Sequence, residues 1–203
     1  MVRPQNRDMT DTVPVRDAAA VVLWRAGPQV LMGQRGAAAA FMPSKYVFPG
    51  GAVDTTDHSA SHLSAGDHAR LTRHCPPDAP GPEMLTGCAL RELAEETGLH
   101  LPPRTPLRFI FRAITPAGAP RRFDARFFLA EAVGLPDLNG FSAATDELSH
   151  LHWIGLTQAR SLDLPFITEV VLAEVAALLS GAEQPGVPFF DNSGPVPSFR
   201  RLR

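Results

Sequence analysis

The hydrophobic and polar positions fall into blocks whose periods predict the elements of the chain. VRDAAAVVLWRAG (15–27) and QVLMGQRG (29–36) read as two strands joined by a turn at Gly27-Pro28. KYVFPGGAV (45–53) reads as a short apolar strand broken by Pro49-Gly50-Gly51. LRFIFRAIT (107–115) and RRFDARFFLAEAV (121–133) read as strands flanking a turn at Pro116-Ala117-Gly118, and LSHLHWIGL (148–156) as a further strand. Leu90, Leu93, Ala94 and Thr97 recur at the i, i+3, i+4, i+7 spacing of a helical face. Gly81-Pro82 suits the start of that helix and Gly98 its end. PFITEVVLAEVAALLSG (165–181) predicts a second helix, stopped by Gly181.

Three stretches stand outside this pattern. The first dozen residues are polar and read as frayed. Residues 54–81 are rich in Ser, His, Pro and Asp and read as a loop with one short helix at most. Residues 182–203 are too rich in Pro and Gly for regular structure. The order strands, helix, strands, helix predicts an α+β fold, an α/β/α sandwich on a mixed sheet, in one domain spanning 1–203.

The phrase RELAEETGL (91–99) is oddly charged for the end of a helix. Glu92, Glu95 and Glu96 share the face opposite the apolar one. Glu92 and Glu96 repel at i, i+4, and two of the glutamates sit in the last turn, where the helix dipole favours cations. Only Arg91 offsets them locally. A solvated acidic face is one reading. The other is a docked hard cation, Mg2+ or Mn2+, which would reverse both penalties.

Composition narrows the classes. The chain has 203 residues, 44% of them hydrophobic, enough for a sizeable core. A formal net charge of -2 gives no basic field to draw it to nucleic acid or an anionic membrane. Cys75 and Cys88 do not make a disulfide framework. The N-terminus carries no signal-peptide pattern and no run reaches the length of a membrane span, so a cytoplasmic protein is expected.

RELAEETGL resembles the end of the Nudix box, which runs Arg-Glu, aliphatic, any, Glu-Glu, any, Gly, aliphatic. Glu83, eight residues before Arg91, stands where the box also asks for Glu. The box opens with Gly six residues before that Glu, but position 77 is Pro. FPGG at 48–51 resembles the Phe-Pro-Gly-Gly that usually carries the opening glycine. The box therefore reads as split, with Gly51 and Glu83 separated by 32 positions and an insertion of about 26 residues between them. The resemblance implies hydrolysis of a nucleoside diphosphate linked to another moiety, assisted by Mg2+ or Mn2+. It implies Glu92, Glu95, Glu96 and the Gly51 carbonyl as metal ligands, and Arg91 as the partner that holds an adjacent glutamate. Glu95 is equally a candidate proton acceptor, and which glutamate is the base stays open. Glu147 falls where many members carry a further catalytic or metal-binding glutamate. Glu83 has a plainer reading as a charge favoured at the helix start. The alternative function is a Nudix-fold module that senses a nucleotide without cleaving it.

LMGQRGAAAAFMPSKYVFPGG (31–51) is also similar to the signature of coenzyme A-cleaving members, matching at Leu31, Arg35 and FPGG but departing at Ala40 (Arg in the signature) and Ser44 (Gly). FMP, the long insertion and TPAGAPRRFDARFFLAE resemble a branch acting on acyl-coenzyme A. Coenzyme A or acyl-coenzyme A is thus one expected substrate; ADP-ribose and dinucleotides are others. Candidate substrate contacts are Arg35, Arg112, Arg121, Arg122 and Arg126, since arginine binds phosphate bidentately, with Phe48 as a wall of the site or part of the core. His58, His62, His68 and His74 in the insertion lack the paired cysteines of a zinc site, and a solvated lid or dimer-contact loop is expected there. The expected partner is a small nucleotide substrate; the family resemblance also allows a homodimer.

Overall fold

The computed structural model describes residues 13–59, 63–135, 137–141 and 144–203. The first twelve residues and His62 lie outside the described residues. In chain order the elements are strands β1 (Val15–Arg25), β2 (Gln29–Arg35), β3 (Tyr46–Val47) and β4 (Gly50–Ala52), helices α1 (Ala65–His74) and α2 (Pro82–Thr97), strands β5 (Arg108–Ile114), β6 (Arg122–Glu131) and β7 (Leu148–Gly155), helices α3 (Leu156–Ala159) and α4 (Phe166–Leu179), and strands β8 (Val187–Asp191) and β9 (Ser198–Leu202).

The strands make one mixed sheet in the order β3-β2-β1-β6-β5-β8-β9, with β4 pairing β1 and β7 pairing β2. β1–β6 and β5–β8 are parallel; the other pairs are antiparallel. A helix packs on each face. Ala19, Val21 and Leu23 of β1 meet Leu85, Ala89 and Leu93 of α2, whereas Val22 joins Val171, Leu172 and Val175 of α4. A strand buried on both faces needs apolar residues at successive positions, which is why AAAVVLW does not alternate. Trp24 and Trp153 pack half-buried at the margins of the two cores.

Three expectations change. The tail is not irregular: β8 pairs β5 and β9 pairs β8, and Val187 and Phe189 are buried in the α2-side core. Two buried hydrophobic anchors on a paired hairpin outweigh the Pro and Gly content. The strand over 45–53 does break, but at Phe48-Pro49: β3 ends at Val47, and Gly50 and Gly51 open β4, held on β1 opposite Ala20 and Ala19. The insertion is not a solvated lid. Ser64 caps α1 by accepting from Asp67 N, Leu71 of α1 lies in the core, and the Asp67 carboxylate accepts the Phe109 N–H of β5 at 3.3 Å. Among its histidines, His68 bonds Glu83 at 2.9 Å and His74 the Arg203 carbonyl at 3.0 Å. No described helix is long and apolar enough to cross a membrane.

Candidate active site

The site is built on the C-terminal half of α2. Gly98 closes that helix in the left-handed conformation, φ 74°, with its N–H on the Ala94 carbonyl at 2.8 Å. Two of the three acidic-face glutamates are not solvated: Glu92 is 8% exposed and Glu96 1%. β4 closes over them. The Gly50 N–H donates to Glu96 Oε2 at 2.8 Å, and Gly51 lies so tightly under the Glu92 carboxylate that a Cβ there would collide with it. Glu147, from the loop before β7, completes the group; Glu92, Glu96 and Glu147 each bring a carboxylate oxygen within 4.8 Å of the others.

This arrangement is electrostatically open. Burial raises the pKa of Glu96 to about 8, despite the Gly50 hydrogen bond, and Glu92 and Glu147 push it the same way. Burial also raises Glu92, against the pull of Arg91. Three converging carboxylates in a partly dry place, all oxygen donors, fit a divalent hard cation. Such an ion would favour the ionised carboxylates, offsetting the burial and mutual repulsion that now favour protonation. The residues present therefore fit the group.

Arg91 is the hub of the positive side. Its guanidinium donates to Asp57 Oδ1 and Oδ2 at 2.7 and 3.0 Å, to Glu92 Oε1 at 2.7 Å, to Glu95 Oε2 at 3.1 Å and to the Ala52 carbonyl at 3.1 Å. Burial opposes charge on Asp57, but the Arg91 bonds and the Asp54 amide outweigh it and hold the carboxyl below its usual range. Asp57 was not among the candidates. It stands six residues after Gly51, the spacing the box asks for, and it accepts from the box arginine. The motif is therefore continuous through its first acid, with Asp in place of Glu, and the chain is lengthened after Asp57. Glu83 is placed elsewhere, in the first turn of α2, where its hydrogen bond to His68 lowers its pKa.

The remaining candidates separate. Glu95 is half-exposed on Arg91 and lies outside the converging trio. The Gly51 carbonyl accepts from the Cys88 thiol at 3.5 Å. Arg35 lines a cavity of about 450 Å3 that Glu92 and Glu147 also line, and its Nε–H donates to the Phe41 carbonyl at 3.0 Å. Phe48 both lines that cavity and packs edge-on against Phe127 in the α4-side core. Arg121 lines the cavity; Arg112, Arg122 and Arg126 do not. Arg112 makes a bidentate pair with Asp124 at 2.8 and 2.6 Å and lies over the Phe189 ring. Arg126 is fully buried and pairs with Asp17 and Asp124. Arg122 donates to backbone carbonyls of Thr115 and Val13. These three are spent inside the sheet. The partners of Arg112 and Arg126 were invisible in the sequence because Asp17 lies 109 positions from Arg126 and only strand pairing joins them. Ser44 sits at φ 61°, a left-handed position that accounts for the glycine of the related signature.

No family model matches the chain. The chain is 29% identical over 174 residues to the Caenorhabditis elegans protein named Putative nudix hydrolase 7, over 68% of this chain and 51% of that protein, so it spans about half the length of the curated relative it matches. Its structure is similar to the crystal structure of a NUDIX hydrolase from Alicyclobacillus acidocaldarius, at 30% identity and a TM-score of 0.57, over 81% of this chain and 92% of that one. It also resembles the NUDIX domain of Shewanella oneidensis NrtR, solved with ADP ribose, at 16% identity and a TM-score of 0.55, over 82% and 89% of the two chains.

Proposed function

This chain belongs to the Nudix hydrolase superfamily, and we propose that it hydrolyses the diphosphate linkage of a nucleoside diphosphate joined to a second moiety, with Mg2+ or Mn2+ as cofactor. The observation that carries the proposal is the convergence of Glu92, Glu96 and Glu147 within 4.8 Å of one another, Glu92 and Glu147 lining a cavity of about 450 Å3. We assign those carboxylates to hold the ion. The bound ion would supply neutralisation of the diphosphate charge and activation of water.

The protein's own part is positioning. Asp57 fixes Arg91, and Arg91 fixes Glu92. The Gly50 amide fixes Glu96. Glu95 and Glu147 are the carboxylates with solvent access, so the proton of the attacking water is assigned to one of them. Arg35, which lines the same cavity, is assigned to the phosphate oxygens, and Phe48 to the wall behind them. For the second moiety, coenzyme A or its acyl esters are supported by the partial signature at 31–51 and by a cavity richer in aromatic and aliphatic walls than in polar ones.

The test is hydrolysis of a panel (coenzyme A, an acyl-coenzyme A, ADP-ribose, NADH, diadenosine polyphosphates and nucleoside triphosphates) with each metal, alongside Glu96→Gln. Turnover of one compound, lost in the variant and without metal, is the expected result. Release of 3',5'-ADP selects the coenzyme A reading. Nucleotide binding with no turnover on any compound overturns the hydrolase reading in favour of a sensing module.

A further inference from the structure

The cavity has a second charged end that the hydrolase reading does not use. Its floor is the α4-facing side of the sheet, where Ala18 of β1, Ala125 of β6 and Ala113 of β5 lie side by side in register. Along the same strands, Val22, Phe127 and Leu129 fill that face with larger side chains. The row of alanines is what leaves room for a ligand.

The row ends at a cationic rim. Arg16 lies on β1 opposite Phe123 of β6, and Arg121 directly precedes β6; both line the cavity. Neither guanidinium makes a hydrogen bond or ion pair with any described residue, unlike Arg35, Arg91, Arg112, Arg122 and Arg126. Two unpaired like charges, one on β1 and one at the entry to β6, disfavour each other, a cost that one anion between them reverses. At the other end of the same cavity, Gly51 pairs with Ala19 of β1 and lies under Glu92.

We propose that Arg16 and Arg121 form an anion subsite, so that the moiety filling the cavity carries a phosphate or carboxylate at the end away from the cleaved diphosphate. This rests on the hydrolase reading for the position of the diphosphate. The two ends then set the orientation of the substrate: the metal-bound diphosphate goes to the carboxylates, an apolar segment crosses the alanine floor, and the terminal anion goes to the rim. The subsite is exposed, so its attraction weakens with salt.

A matched set of ADP octyl esters tests it, with the octyl chain ending in methyl, carboxylate or phosphate. At low ionic strength the expected KM of an anionic ester is at least about tenfold below that of the methyl ester, with kcat alike, as for a charge-assisted contact outside the reacting centre. The carboxylate and phosphate arms identify which anion is preferred. In an Arg16→Ala, Arg121→Ala double variant the advantage collapses while turnover of the methyl ester is kept; an Arg16→Lys, Arg121→Lys variant restores part of it. Equal KM for methyl and anionic esters in the unaltered protein, or discrimination that survives the alanine variant, overturns the subsite. If no ester is hydrolysed, calorimetric binding of the same esters, with the same comparison of affinities, decides the subsite, and the hydrolase reading is decided separately by the substrate panel.

Discussion

Two clusters of charge, one within the sheet and one on the C-terminal half of α2, are balanced differently. In the sheet, Arg112 and Arg126 meet Asp124 and Asp17: two cations, two anions, joined by short hydrogen bonds. In the site, Arg91 is absorbed by Asp57, Glu92 and Glu95, leaving Glu96 and Glu147 beside Glu92 with no comparable partner. The closed cluster holds the fold together. The open one carries a surplus of negative charge that a proton on Glu96 or a bound cation can balance. Arginine content does not distinguish the two; the count of acids around each arginine does.

The comparison can be broken most sharply at Glu96. Glu96→Gln keeps the shape of the site and the Gly50 hydrogen bond but removes a charge from the proposed ion site; turnover of the substrate found in the panel is expected to fall about a thousandfold, near 4 kcal/mol of barrier, with folding intact. The closed cluster predicts the reverse. Arg126→Met leaves Asp17 and Asp124 without their shared partner, and unfolding in urea is expected to show a loss of about 3–5 kcal/mol, while the folded fraction keeps its activity.

Stability against pH sharpens the same contrast. Below pH 4.5 the folded and unfolded chains both hold the Glu96 proton; between there and about 8 only the unfolded chain releases it. The metal-free protein is therefore expected to lose stability as pH rises through that window and to level off above it. Glu96→Gln flattens this part of the profile. Mg2+ or Mn2+ raises the melting temperature more at pH 8 than at pH 5, because it binds the ionised form. A flat profile in the unaltered protein would mean the trio is already balanced.

Asp57→Asn tests the link between the clusters' logics. It turns a bidentate anion into a neutral amide beside Arg91, and about 1–3 kcal/mol of stability is expected to go with it. If Arg91 positions Glu92, the variant also needs more metal for half-maximal rate, which a purely structural role would leave unmoved. The smallest effect is expected from Arg112→Lys, which keeps the charge and loses the fork to Asp124, at about 1 kcal/mol in the same urea titration.

Local patterns in the sequence reached far into the fold and only partway into the site. The caps of α2, the paired strands 15–25 and 29–35, and the apolar runs of β5 and β6 are written in consecutive residues, and the structure has them there. β8 was missed because Pro188 and Gly186 signal breakage locally, whereas its support comes from β5, over seventy positions earlier. Glu92, Glu96 and Glu147 were found because their motif is local or nearly so. Asp57 is masked because Glu83 meets the box spacing to Arg91 from within the helix, although the six-residue spacing from Gly51 points to Asp57. Arg112 and Arg126 could not be told from Arg35 and Arg121, since strand pairing alone decides which guanidinium meets an acid.

The alanine floor makes substrate choice separable from chemistry. Ala18, Ala113 and Ala125 touch neither the carboxylate trio nor Arg91, and each can become valine by one nucleotide change in its codon. Every such step would shrink the chamber by a couple of methyl groups and leave the carboxylate end as it was. A scaffold of this kind can drift between bulky and slender substrates along a path on which no intermediate has to give up catalysis.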